Sequence, residues 1–128
     1  MEDYLIDSGP FIDAIRGKND RWSLFETLVS DGGSLSCSVV TVAELYAGMR
    51  SHEVSRTEAL LGGFRKCEVT AEIARHAGLL KNGWAARGYV FSLPDMMIAA
   101  TAIAHGLVLV TSNIKDFPMP ELRIYPLR

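Results

Sequence analysis

Five short apolar segments alternate with stretches of helical periodicity, and that alternation constrains the fold more than any other feature of the chain. The segments are Tyr4 to Ile6, Leu35 to Ser38, Cys67 to Val69, Leu107 to Val110 and Arg123 to Tyr125. Between them, Trp22, Phe25, Leu28 and Val29 recur at helical spacing and stop at Gly32-Gly33. A second stripe, Ile73, Ala77, Leu80 and Trp84, ends near Gly88. Both stripes read as core faces. The pattern predicts an α/β sandwich around a mainly parallel sheet, and 128 residues suffice to bury its core as one domain, residues 1–128.

Composition removes several function classes. The acidic start MEDYLIDSG lacks the basic and long apolar regions of a signal peptide, and the longest apolar run, MMIAATAIA, is too short to span a bilayer. A cytoplasmic protein with no membrane partner is expected. Cys37 and Cys67 lack CxxC spacing and sit in strand-like segments, so buried, reduced thiols are expected. The net charge of −2 exerts no overall pull on nucleic acid, so any polyanion must be held locally or through a metal.

In open α/β sheets the ligand site lies beyond the carboxyl ends of the strands. Those junctions carry Asp7 (YLIDSG), Glu44 one turn into the next helix (SVVTVAEL), and Asn113 with Asp116 (LVLVTSNIKDF). Asp95 opens SLPDMMIAATAIAHG, a helix apolar all round and therefore sandwiched within the domain. Taken singly, each of these residues has a structural explanation. Thr41 to Glu44 and Ser92 to Asp95 both have capping-box form, Asp7 or Ser8 can cap the following helix, and Asn113 suits a turn. The first turn of that apolar helix points into protein, and capping alone leaves most lone pairs of an Asp95 carboxylate placed there unused. Magnesium or manganese, hard cations that prefer oxygen, would use them.

The order of Asp7 in YLIDS, Glu44 in TVAEL, Asp95 in LPDMMIAATA and the late VTSNIKDF closely resembles the PIN-domain nucleases, in particular the VapC-type toxins of toxin–antitoxin pairs. The resemblance covers essentially the whole chain. It implies a three-layer α/β/α sandwich with a mainly parallel sheet of about five strands, and a Mg2+- or Mn2+-dependent endoribonuclease acting on RNA, with tRNA a common target. A homodimer neutralised by a cognate VapB-type antitoxin is implied as well. Carried over by motif position, Asp7, Glu44 and Asp95 are the acidic core, Asn113 stands where many relatives have a fourth acid, and Asp116 can restore that charge. Two positions depart from the pattern: Gly9-Pro10 follows Asp7-Ser8 where asparagine is common, and Ser112 stands where arginine is frequent.

On this reading Asp7 and Asp95 ligate the metal directly, Glu44 is a ligand through water or orients the attacking water, and Asn113 and Asp116 support the site from outside. Ser8 and Thr111 can hold a metal-bound water. Arg16, Lys18, Arg21, Arg50, Arg56 and Lys115 are candidates for phosphate contacts, and Tyr46 and Trp84 for base stacking. Leu45, Tyr46 and Met49 exceed the needs of one core face and suggest a groove for the antitoxin tail. His52, His76 and His105 lack metal-ligand spacing. Two nuclease-free or broader readings compete: a non-catalytic PIN-like binding module whose acids are only caps, and a PIN nuclease of general RNA processing. A phosphoacceptor receiver domain is excluded, because Thr70-Ala71-Glu72 offers no acceptor aspartate after the middle strand.

Overall fold

The computed structural model describes residues 2–127. Its elements are β1 (Asp3–Ile6), α1 (Ser8–Ile15), α2 (Arg21–Ser30), β2 (Ser34–Ser38), α3 (Val39–Gly48), α4 (Val54–Gly62), β3 (Arg65–Cys67), α5 (Ala71–Ala85), α6 (Leu93–His105), β4 (Val108–Thr111) and β5 (Ile124–Pro126). Short 3-10 turns at Ser51–Glu53 and Ile114–Asp116 complete the chain. The five strands form one sheet in the order β3-β2-β1-β4-β5, and every neighbouring pair is parallel.

Parallel strands need both faces covered, because their crossover helices lie on the faces. Side-chain alternation divides the core accordingly. Leu5, Cys67 and Leu109 face a layer built from α5 and α6, while Ile6, Cys37 and Val110 face the layer of α1 to α4. Both cysteines are free and buried, and burial pushes the Cys37 thiol up to about 11. Helix α6 is the sandwiched element its composition predicts: Met96, Ile98, Ala99, Ala100, Thr101 and Ala102 are all buried. It ends at Gly106, whose φ of +62° is the left-handed conformation that a side chain disfavours. Among the described residues no helix is long and apolar enough to cross a membrane.

Several local expectations need correction. The third strand is Arg65–Cys67, two residues upstream of the expected Cys67 to Val69. It is an edge strand, so Arg65 and Lys66 remain exposed and no apolar run marks it. In α2 only Phe25 and Leu28 of the predicted stripe are buried; Trp22 and Val29 are about half exposed, on the rim of an apolar groove of about 530 Å³ between α2 and α4. Leu45 is core, 2% exposed, and Met49 is half-buried, so of the three residues expected to exceed one core face only Tyr46 does. Tyr46 is exposed and its hydroxyl donates to Glu58 at 3.3 Å. Trp84 is half-buried and carries the Arg87 guanidinium 4.2 Å from its ring centre, which occupies one stacking face.

Helices α1 and α3 leave the same edge of the sheet and are tied together twice. The Ser8 hydroxyl at the start of α1 donates to Glu44 Oε1, in the second half of α3, at 2.6 Å. Just beyond their ends Arg16 Nε donates to Glu53 Oε2 at 2.9 Å, and the Arg50 amide donates to Glu53 Oε1 at 2.8 Å. The Arg16 bond first, and the Arg50 amide second, hold the Glu53 carboxyl down to about 2, against an ordinary 4.5. A carboxyl lowered by folding adds stability above its unfolded pKa, and that contribution is lost as the pH falls through the folded value. Glu53→Gln is therefore expected to melt several degrees below the parent at pH 7. The gap should shrink as the pH is lowered from about 4.5 towards 2, as thermal unfolding at a series of pH values will show.

Candidate active site

The chain visits β1, β2 and β3 on one side, then returns to place β4 on the other side of β1. Such a reversal opens a crevice beyond the carboxyl ends of the two central strands. Asp7 stands at that point. It is the N-cap of α1, with the Ser8 amide donating to its Oδ1 at 2.8 Å, and the Thr111 hydroxyl at the end of β4 donates to its Oδ2 at 2.8 Å. Thr111 in turn accepts from the Asn113 amide at 3.1 Å, so one buried hydroxyl joins the two strand ends and starts the following turn.

Asp7 is 6% exposed. Burial raises its carboxyl above the ordinary range, the bonds from Thr111 and Ser8 pull the other way, and the charges of Glu44 and Asp116 raise it further. Asp95 is half-buried and also raised, first by burial and then by Asp7 and Asp116, against a Ser92 hydrogen bond. The four carboxylates Asp7, Glu44, Asp95 and Asp116 thus share one electrostatic neighbourhood. Asn113 is exposed and precedes the turn that carries Asp116, whose charge acts on both Asp7 and Asp95.

The capping explanations divide. Ser92 is the N-cap of α6 and its hydroxyl accepts from the Asp95 amide at 3.2 Å, so that half of the predicted box is present. The Thr41 to Glu44 box is not. Helix α3 starts earlier, on Ser38, whose hydroxyl accepts from the Val40 amide at 3.1 Å. Thr41 is fully buried inside the helix, and Glu44 is exposed with no backbone amide to cap. Its partner is Ser8, across the mouth of the crevice.

The two departures from the PIN pattern prove to be neighbours. A Cβ at Gly9 would stand 2.9 Å from the Ser112 hydroxyl, so the small residue on α1 makes room for the side chain after β4. Of the basic candidates, Lys18, Arg50, Arg56 and Lys115 are exposed. Arg21 is buried, with its guanidinium 3.7 Å from Asp13, and Arg16 is committed to Glu53. Neither is a free phosphate contact.

Among the described residues no three His, Cys, Asp or Glu side chains are gathered closely enough to cage an ion by themselves. The donors are all carboxylate and hydroxyl oxygens, with both Asp7 oxygens already accepting one bond each. That set suits a hard cation which retains part of its water shell, as magnesium does, better than a dehydrated one.

The PIN domain profile matches residues 4–118. The chain belongs to the PIN-domain family. Its PIN relatives include Ribonuclease VapC19 of Mycobacterium tuberculosis, 33% identical over 120 residues that cover 93% of this chain and 96% of the relative. Ribonuclease VapC10 of the same organism is 38% identical over 117 residues, 91% of this chain and 87% of that one. Among solved structures, the DNA-bound VapBC of Salmonella typhimurium superposes with a TM-score of 0.83 at 25% identity, covering 98% of each chain. A toxin–antitoxin complex from Klebsiella pneumoniae gives 0.79 at 27%, covering 96% of each. The expected PIN-like sandwich is therefore the one observed.

Proposed function

We propose that this PIN domain is a Mg2+- or Mn2+-dependent endoribonuclease, the toxin of a toxin–antitoxin pair. The observation that carries the reading is the crevice between β1 and β4, where Thr111 and the Ser8 amide hold Asp7, the Ser8 hydroxyl holds Glu44, and the Asp95 and Asp116 carboxylates lie within electrostatic reach of Asp7. The relatives support it: those named above are called ribonucleases, and the solved neighbours are complexes with antitoxins. A VapB-type antitoxin and a second copy of the chain are its proposed protein partners, and RNA its substrate.

Asp7 and Asp95 would hold the ion, with Glu44 acting through water and Asp116 adding negative charge nearby; Asn113 lies outside this set. A divalent ion bound there would supply charge neutralisation for the acids, Lewis acidity towards the phosphoryl oxygen and a more acidic water. The protein's own contributions are positional. Thr111 and the Ser8 amide fix both oxygens of Asp7, so that carboxylate cannot rotate. The Ser8 hydroxyl fixes Glu44 at the rim, where it can orient a water for in-line attack. The raised carboxyls favour protonation while the crevice holds no cation, so metal affinity should fall with acidity.

The test is hydrolysis of an RNA mixture from a bacterial cell by the purified chain. Discrete fragments are expected with magnesium or manganese, none with EDTA, and none after addition of the product of a short neighbouring gene of antitoxin type. Fragments that persist in EDTA, or no cleavage with any divalent ion, would defeat the proposal.

A further inference from the structure

The second concentration of charge lies at the far ends of α1 and α3. Arg16, Lys18, Arg50, His52, Glu53 and Arg56 surround a cavity of about 530 Å³. Four cations meet one carboxylate there, in a chain whose total charge is −2. Glu53 carries a single charge against four: its oxygens accept from the Arg16 guanidinium and the Arg50 amide, and its charge acts on Arg16 and Arg50 together. Arg56 donates from its NH1 to the Ile15 carbonyl at 2.9 Å, which anchors its guanidinium at the C-terminus of α1 while the residue remains exposed. Among the described residues no carboxylate forms an ion pair with Lys18, Arg50 or Arg56. Like charges are held together here by a buried strap, against their own repulsion.

The pocket has a fixed relation to the acids. Helix α1 runs from the Asp7 cap to Ile15, eight residues, or about 12 Å at 1.5 Å per residue. The side-by-side course of α1 and α3, pinned by Ser8 to Glu44 and by Arg16 to Glu53, sets acids at one end and cations at the other. A single strand with one phosphate at the acids would bring another to the cations roughly two to four nucleotides away, given ~3.4 Å per nucleotide when stacked and more when extended.

We infer that this pocket binds a flanking phosphate of the RNA strand, with Lys18 and Arg50 as the contacting residues and Glu53 as the positioning residue that joins the two turns. The inference rests on the ribonuclease reading. It adds to that reading the site that supplies affinity, which the acidic crevice cannot supply alone.

The test uses the full chain, its Lys18→Ala/Arg50→Ala variant, and a short single-stranded RNA of mixed sequence, with binding measured in EDTA across a salt series. The parent should bind; the double variant should bind about tenfold more weakly, with a salt slope shallower by roughly 0.7 for each phosphate no longer neutralised. Both residues are exposed, and an unchanged melting temperature checks that the variant is folded. In magnesium, methylphosphonate replacement of single phosphates should slow the parent most at one position flanking the cut, and that position should lose its effect in the variant. If the parent cleaves RNA but the variant keeps the same affinity and slope, the pocket is not an RNA site, although the nuclease reading stands. If the variant loses only its grip on the antitoxin, the pocket belongs to the protein partner and the inference fails. A parent that neither binds nor cuts RNA overturns both.

Discussion

Asp95→Asn should melt at a higher temperature than the parent in EDTA at pH 7, yet lose most of the stabilisation that magnesium confers and at least a hundredfold in RNA cleavage. As a first-turn acid of α6, Asp95 gains from the helix dipole and from the Ser92 cap, together on the order of 1 kcal/mol. Its carboxyl is nevertheless raised above 3.8, so burial and the charges of Asp7 and Asp116 outweigh that gain. An acid whose pKa rises on folding is a liability once ionised: the penalty is absent below the unfolded pKa and complete above the folded one. The asparagine variant removes it. Because Asp95 is half-buried, water screens part of the repulsion, and the gain should be on the order of 1 kcal/mol. It should vanish as the pH falls below 3.8, where the carboxyl is protonated in the folded and the unfolded parent alike. A variant that is less stable in EDTA but keeps its magnesium response and its activity would make Asp95 a helix cap.

Thr111→Val should lower stability by about 1–3 kcal/mol and move the acid limb of the cleavage profile to higher pH. The side chain is fully buried, and valine matches its shape without the hydroxyl. The substitution leaves an Asp7 oxygen without its donor and the Asn113 amide without its acceptor, the costly kind of hydrogen-bond loss. The bond from Thr111 is the largest influence lowering the Asp7 carboxyl; without it the group rises further and stays protonated, unable to hold a cation, to a higher pH. Thermal unfolding and a pH series of cleavage rates test both halves. Unchanged stability with an unchanged profile would show that Thr111 only terminates β4.

The parts of this arrangement that are legible in the sequence are those written in local pattern. Leu107 to Val110 is apolar at every position because β4 is covered on both faces, and the apolar circumference of α6 follows from its place inside the sandwich. The junction rule leads directly to Asp7, Glu44 and the Asn113 to Asp116 turn. Local pattern fails where the deciding partner is remote. Arg65 and Lys66 form a strand only because β2 offers them an open edge, with Ser36 opposite Arg65 and Ser38 opposite Cys67. Thr41 has the form of a cap, but the end of β2 puts the helix start on Ser38, three residues earlier. Arg16 has the form of a phosphate ligand until Glu53, 37 positions later, is seen to hold it. Thr111 and Asp7 are separated by 104 positions, and only the folded sheet makes them partners.

Whether the crevice acids form a metal centre or a set of helix caps is decided by manganese titration of the RNA-free protein, followed by calorimetry. A metal centre requires saturable binding by the parent, weakened at least tenfold in both Asp7→Asn and Asp95→Asn, and unchanged in Glu121→Gln, an exposed acid in the loop before β5. Parent binding that survives both replacements, or a parent that takes up no manganese at all, would leave Asp7 and Asp95 as helix-start acids only.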